Sequence, residues 1–178
     1  MQDKALRISG VVDDSIVDGP GMRYTVFVQG CPHGCPGCHN PQTHDFDGGR
    51  EMRIAEIDRE IGENPLLSGV TFSGGEPFCQ AGALAVLGQQ VKARGLHLIT
   101  YTGYIYENLL QMAAERPDIQ SLLDLTDLLV DGPYLEAERD LTLLYRGSRN
   151  QRLIDLNAMR AAGDMRRILL YAPDDTGW

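Results

Sequence analysis

Short apolar runs and helix-spaced apolar positions take turns along this chain. Six runs carry the β-branched, aromatic and aliphatic residues of strands, at 24–29, 70–73, 96–101, 128–130, 152–155 and 168–171. Between the first two, Ile54, Ile57 and Ile61 recur at helical spacing, and the pattern stops before Asn64-Pro65. Leu84, Leu87 and Val91 mark a second helix that ends at Gly95, a residue suited to the turn beyond a helix C-terminus. Ile105, Leu109, Met112 and Ala113 mark a third, closed by Pro117. Strand, helix, strand, helix predicts parallel βαβ units with right-handed crossovers. A closed eight-unit barrel takes about 250 residues. With 178 residues the prediction is an α/β fold in the form of an open, partial (β/α) barrel. The competing flat, doubly wound sheet lacks its G-x-G-x-x-G phosphate signature, because Gly30, Gly34 and Gly37 after the first strand are separated by cysteines.

Composition sets limits. The chain is 43% hydrophobic and 23% charged, enough to bury a core, and reads as one domain over 1–178. No apolar stretch reaches the roughly 20 residues of a membrane helix. The first ten residues hold no secretion-signal core, so a cytoplasmic protein is expected. A formal net charge of −9 argues against nucleic-acid and anionic-membrane partners. The balance reverses locally, where Arg139, Arg146, Arg149, Arg152, Arg160, Arg166 and Arg167 outnumber Asp140, Asp155 and Asp164. That excess reads either as a docking face or as scattered, solvated charge.

The candidate chemistry lies in Gly30-Cys31-Pro32-His33-Gly34-Cys35-Pro36-Gly37-Cys38, directly after the first strand. Three soft thiolates in one tight loop are a metal site with one coordination position left over. The glycines let the chain wrap a bulky group and turn backbone N–H groups towards its sulfurs. A zinc site would add Cys79 or one of His33, His39 and His44, although zinc cysteines more often come as two separated pairs. A ferredoxin-type carrier would supply four cysteines per cluster. The ligand arithmetic favours an iron–sulfur cluster with one open iron. Cys79 reads as a small buried hydrophobe and His97 as a structural residue within a strand. Gly74-Gly75-Glu76-Pro77 follows the second strand, Thr102-Gly103-Tyr104 the third and Asp131-Gly132-Pro133 the fourth. In parallel α/β folds the C-terminal ends of the strands carry the site, so these loops belong together.

C-x3-C-x2-C after the first strand with Gly-Gly-Glu-Pro after the second resembles the radical S-adenosylmethionine superfamily. The resemblance implies a partial barrel of that type and two cofactors, a [4Fe-4S] cluster and S-adenosyl-L-methionine. It implies Cys31, Cys35 and Cys38 as cluster ligands. Gly74, Gly75 and Glu76 would border the methionine moiety, and Gly37, Cys38 and His39 would lie near the adenine, with Thr102 a further cofactor contact. Many members carry an aromatic residue where this chain has Gly37, so any packing on adenine falls to a neighbour such as His39. No catalytic acid or base is implied, and no Cys–His or hydrolytic motif is found.

A narrower resemblance rests on Val17-Asp18-Gly19-Pro20-Gly21-Met22-Arg23, Thr102-Gly103-Tyr104, Leu129-Val130-Asp131-Gly132-Pro133-Tyr134 and Arg146-Gly147-Ser148-Arg149-Asn150-Gln151-Arg152. Together they resemble glycyl-radical activases, specifically the activating proteins of anaerobic ribonucleoside-triphosphate reductase. This implies reductive cleavage of S-adenosylmethionine to methionine and a 5′-deoxyadenosyl radical. That radical would take hydrogen from a glycine of the reductase catalytic subunit, with the electron coming from a flavodoxin-like donor. An activase of another glycyl-radical enzyme, such as pyruvate formate-lyase, is the near alternative. A zinc-stabilised binding module without activity is the distant one.

Overall fold

The computed structural model describes residues 4–173, so both ends of the expected 1–178 domain and the first three residues read for a secretion signal lie outside it. The described residues form seven strands: β1 (Ala5–Ser15), β2 (Arg23–Val28), β3 (Arg50–Arg53), β4 (Gly69–Gly74), β5 (His97–Tyr101), β6 (Leu128–Asp131) and β7 (Arg152–Asp155). Five helices accompany them: α1 (Ile54–Glu63), α2 (Ala81–Ala93), α3 (Tyr106–Ala113), α4 (Pro117–Leu125) and α5 (Leu156–Ala162). The strands form one sheet in the order β3-β1-β2-β4-β5-β6-β7, whose two ends do not meet. Its centre, β2-β4-β5-β6, is parallel as predicted. Its flanks are antiparallel: β1 pairs with β2 and β3, and β7 pairs with β6.

Side-chain alternation along the central strands separates two faces. Tyr24, Val26, Val70, Phe72, Leu98 and Leu129 pack under the helices with Ile57, Ile61, Leu84, Leu87, Val91, Leu109 and Leu122. The three helices read from the sequence are there for that reason. The other face carries Thr25 beside Thr71, Thr71 beside Ile99 and Ile99 beside Leu128. A small cluster of Ile99, Leu128, Val130 and Leu153, with Tyr101, Tyr145 and Tyr171 against it, closes part of this face.

Several elements depart from the sequence reading. β1 and β3 were not expected, nor were α4 and α5. Pro117 does end the run of α3, but it also sits in the first turn of α4, where its missing N–H would have no partner anyway. Residues 168–171 form no strand. They lie along β7 through a single bridge, Ile154 to Leu170, with Asp155 N–H donating to Leu169 O at 2.9 Å and Tyr171 N–H to Leu153 O at 2.8 Å. Gly95 follows α2 at φ +74°, as its helix-ending role required.

Arg23, fully buried at the start of β2, is held by neutral acceptors. Nε donates to Thr71 Oγ1 at 2.7 Å, Nη1 to Pro20 O at 3.1 Å, and Nη2 to Val70 O at 2.8 Å and His97 O at 3.0 Å. Burial brings its pKa down to about 10, so it remains charged at neutral pH. His97 Nδ1 lies 3.2 Å from the same guanidinium. Burial, and then the Arg23 charge, push the His97 pKa from 6.5 down to about 4. Between those values the unfolded ring takes up a proton that the folded ring refuses. Stability is therefore full above pH 6.5 and falls as the pH drops towards 4. A loss of about 2 kcal/mol is expected between pH 7 and 5. Urea unfolding of the parent and of His97→Gln side by side measures it; equal pH slopes in the two would show that His97 contributes nothing.

Candidate functional site

The cysteine loop leaves the C-terminal end of β2, residues 74–77 leave β4, residues 102–104 leave β5, and residues 132–134 leave β6. All four border one open cleft of about 590 Å3. Of the residues singled out in the sequence, Cys31, Cys35, Cys38, His39, Gly74, Gly75 and Thr102 line this cleft, whereas Gly37 and Glu76 do not. Gly37 turns away at φ +74°, and a Cβ there would come within 3.0 Å of the Glu136 carboxyl group. The opposite wall comes from segments that sequence reasoning did not place here. Ser15 ends β1 and Val17 and Asp18 follow it, Tyr101 ends β5, and Leu143, Tyr145 and Arg146 precede β7. Only sequence-distant packing brings them together. The Val17–Arg23 motif was the one signal that could have pointed to Asp18.

The three loop cysteines are free and half-exposed. Burial pushes the Cys31 thiol pKa up, while the backbone N–H groups of His33 and Gly34 pull it back by donating to the sulfur. Asn40 N–H donates to Cys38 Sγ at 3.4 Å. The loop is tied down behind by Gly30 N–H to Thr43 O at 2.7 Å and Cys31 N–H to His44 O at 3.2 Å. Soft donors facing one space, with N–H groups on their sulfurs, fit the thiolate ligand set of an iron–sulfur cluster. Among the described residues no three His, Cys, Asp or Glu side chains converge to hold a single metal ion. Cys79, expected to be buried, is instead exposed in the 3-10 turn Pro77–Gln80, and its thiol pKa is pushed up to about 11.

Glu76 sits differently from the expectation that it borders a ligand. It is fully buried, and its carboxylate is already surrounded. Oε1 accepts from Phe78 N–H at 3.0 Å and from Thr102 Oγ1 at 2.9 Å. Oε2 accepts from Gly103 N–H at 2.8 Å and lies 2.6 Å from His33 Nε2. The carboxylate thus joins three loops and is held by donors from within the protein. The preceding glycines are required by packing. A Cβ on Gly74 would lie 2.6 Å from Val28 N, and one on Gly75 would lie 2.4 Å from Gly30 O. Gly74 also has φ +91°, a region that side chains disfavour.

At the end of β6, buried Asp131 accepts from Tyr106 N–H at 2.8 Å and from Arg152 Nε at 3.0 Å and Nη2 at 2.5 Å. The Arg146–Arg152 segment is latched onto the loop after β6. Gln151 Nε2 donates to Gly132 O at 3.1 Å, Asn150 Nδ2 to Pro133 O at 2.7 Å, and Leu135 N–H to Ser148 Oγ at 3.2 Å. These are long-range contacts, which explains why so polar a segment holds a fixed course. The arginine excess is also divided. Arg152 serves Asp131 and Glu107, Arg160 Nη2 donates to Thr126 O at 2.6 Å, and Arg146 Nη1 to Gln151 O at 3.1 Å. Arg139, Arg149, Arg166 and Arg167 stay exposed, so four of the seven are left for any docking face.

Among the described residues no helix is long and apolar enough to cross a membrane. Residues 17–154 match the family described as a 4Fe-4S single cluster domain. The anaerobic ribonucleoside-triphosphate reductase-activating protein of Escherichia coli K12 is 35% identical over 144 residues, covering 76% of this chain and 90% of that protein. The pyruvate formate-lyase-activating enzyme of Clostridium pasteurianum is 39% identical over 108 residues, covering 57% of this chain but 45% of the enzyme. The crystal structure of QueE from Escherichia coli aligns with 56% of this chain and 52% of its own at 19% identity and a TM-score of 0.45.

Proposed function

The chain belongs to the 4Fe-4S single cluster domain family, in the company of the anaerobic ribonucleoside-triphosphate reductase-activating proteins, and we propose that it installs a glycyl radical in such a reductase. The observation that carries this reading is three free thiols, and no fourth, on one open cleft at the C-terminal ends of parallel strands. Cys31, Cys35 and Cys38 would hold a [4Fe-4S] cluster. Gly74, Gly75 and Thr102 offer a wall with little side-chain bulk for the methionine end of S-adenosylmethionine, while Cys38 and His39 stand on the adenine side. Together the two groups supply reductive cleavage to methionine and a 5′-deoxyadenosyl radical able to take a hydrogen atom from glycine. The chain's own residues shape and shield that space. Tyr101, Leu143 and Tyr145 limit water on the far wall, and Glu76 keeps three of the bordering loops in register.

The share of each relative that is matched favours the reductase over pyruvate formate-lyase as partner, at 90% against 45%. The rest of the reading is one catalytic domain over 1–178, working in the cytoplasm with a flavodoxin-like electron donor and bound to neither nucleic acid nor membrane. The net charge of −9 supports the last point. The test is anaerobic. Reconstituted protein, S-adenosylmethionine, a reductant and the reductase catalytic subunit are combined and followed by electron paramagnetic resonance. A glycyl-radical doublet with matching 5′-deoxyadenosine is expected. A doublet formed faster on pyruvate formate-lyase would redirect the partner, and a colourless zinc protein without cofactor cleavage would sink the reading.

A further inference from the structure

His33 stands between the first two loop cysteines, and it is the residue through which this loop meets the wall facing it. Its imidazole is 16% exposed and its Nε2 lies 2.6 Å from Oε2 of the fully buried Glu76. A carboxylate only accepts, so Nε2 carries the hydrogen and donates. The ring meets Tyr104 edge-on, with centroids 4.6 Å apart at 77°. It also fills the space left by the missing side chain of Gly103. A Cβ on Gly103 would stand 2.4 Å from His33 Cδ2 and 2.7 Å from Nε2. Gly103 does not adopt the left-handed backbone that favours glycine, so room for the His33 ring is what the position requires. Oε2 of Glu76 accepts from Gly103 N–H as well, and Thr102 Oγ1 bonds the same carboxylate. One buried acceptor therefore joins the cysteine loop to the end of β5.

We propose that His33 is a positioning residue that keys the cysteine loop into the notch at Gly103, fixing where Cys31 and Cys35 stand relative to Gly75 and Thr102. The proposal rests on the cluster reading above. With the key in place the ligand loop is held on both sides, behind by Thr43 and His44 and in front by Glu76. Without it, the stretch between Cys31 and Cys35 loses its anchor on the wall, and iron is released more readily.

The test uses reconstituted protein under anaerobic conditions and follows iron release to a ferrous chelator, together with the change that S-adenosylmethionine makes in the spectrum of the reduced cluster. His33→Ala is expected to release iron about tenfold faster than the parent and to alter that spectral change. Gly103→Ala should do the same, because its methyl group displaces the ring. The decisive result is the double variant: the three atoms nearest the methyl all belong to the His33 ring and go with it, so His33→Ala/Gly103→Ala should be no faster than His33→Ala alone. His33→Gln keeps a donor for Glu76 and should stay within about threefold of the parent. Multiplying rates in the double variant, a parent-like His33→Ala, or a His33→Gln as fast as His33→Ala would each overturn the proposal. A parent that binds no iron would instead overturn the cluster reading, and this proposal with it.

Discussion

Cys35→Ala is expected to bind no cluster iron after anaerobic reconstitution, and Cys31→Ala and Cys38→Ala are expected to behave alike. Cys79→Ala should keep the full complement, about four irons per chain. The contrast follows from placement. Three thiols line the cleft, and two of them receive backbone N–H bonds that favour the thiolate. Cys79 lies outside the cleft lining, exposed in the turn after Pro77. Removing one of three ligands leaves two, too few to hold a cluster that already has one iron without a protein ligand. Iron and sulfide assays, with the visible absorption of the cluster, measure the outcome. A Cys79→Ala protein as empty as Cys35→Ala would show that the ligand set has been misassigned.

The second large effect concerns stability. Asp131→Ala should lower the unfolding free energy by about 3 kcal/mol, because deleting one partner of a buried ion pair leaves the other without compensation. Asp131 is fully buried and bonds both Arg152 and the first N–H of α3. Arg152 is 30% exposed and also reaches Glu107, so water and a second carboxylate take up part of the loss. That places the effect at the lower end of the range for buried pairs. Because Gln151 and Asn150 tie the adjoining loop to residues 132 and 133, the variant should also loosen the wall that carries Tyr145 and Arg146. Urea unfolding gives the first number, and a shift below about 1 kcal/mol would mean that the pair is solvated rather than structural.

The central sheet was readable because each parallel strand is buried on both faces and so reads as a short, nearly continuous run of apolar and β-branched residues. Ile54, Ile57 and Ile61, or Leu84, Leu87 and Val91, stand at helical spacing because a sheet lies beneath them. The flanks left less trace. β3 has one buried residue, Met52, among Arg50, Glu51 and Arg53, so its existence depends on pairing with β1 rather than on its own pattern. α4 was hidden by its opening proline, and the short α5 depends on Asp155 accepting from Ala158 N–H. Conversely, 168–171 has a strand's composition but meets β7 through a single bridge.

The site divides in the same way. Cysteines, glycines and polar turns that directly follow strands were found because their place in a parallel fold is fixed by the strand before them. Which way a side chain points was not legible. Glu76 looks from sequence like a ligand contact, yet the donors that surround it come from residues 33, 102 and 103 on other loops. Asp18, Tyr145 and Arg146 reach the cleft from far along the chain and are visible only once it folds.

An unclosed sheet ordinarily invites a further strand, whether from a second copy or from a partner. Here both borders refuse one. β3 is four residues long with three exposed charged side chains, and the outer side of β7 is occupied by the stretch ending at Tyr171, hydrogen-bonded along it. Extension by β-addition is therefore disfavoured at β3 and directly along the outer side of β7. Under the proposed function, a glycine-bearing segment would accordingly approach over the rim, as a loop crossing the strand ends, and not as an eighth strand alongside them.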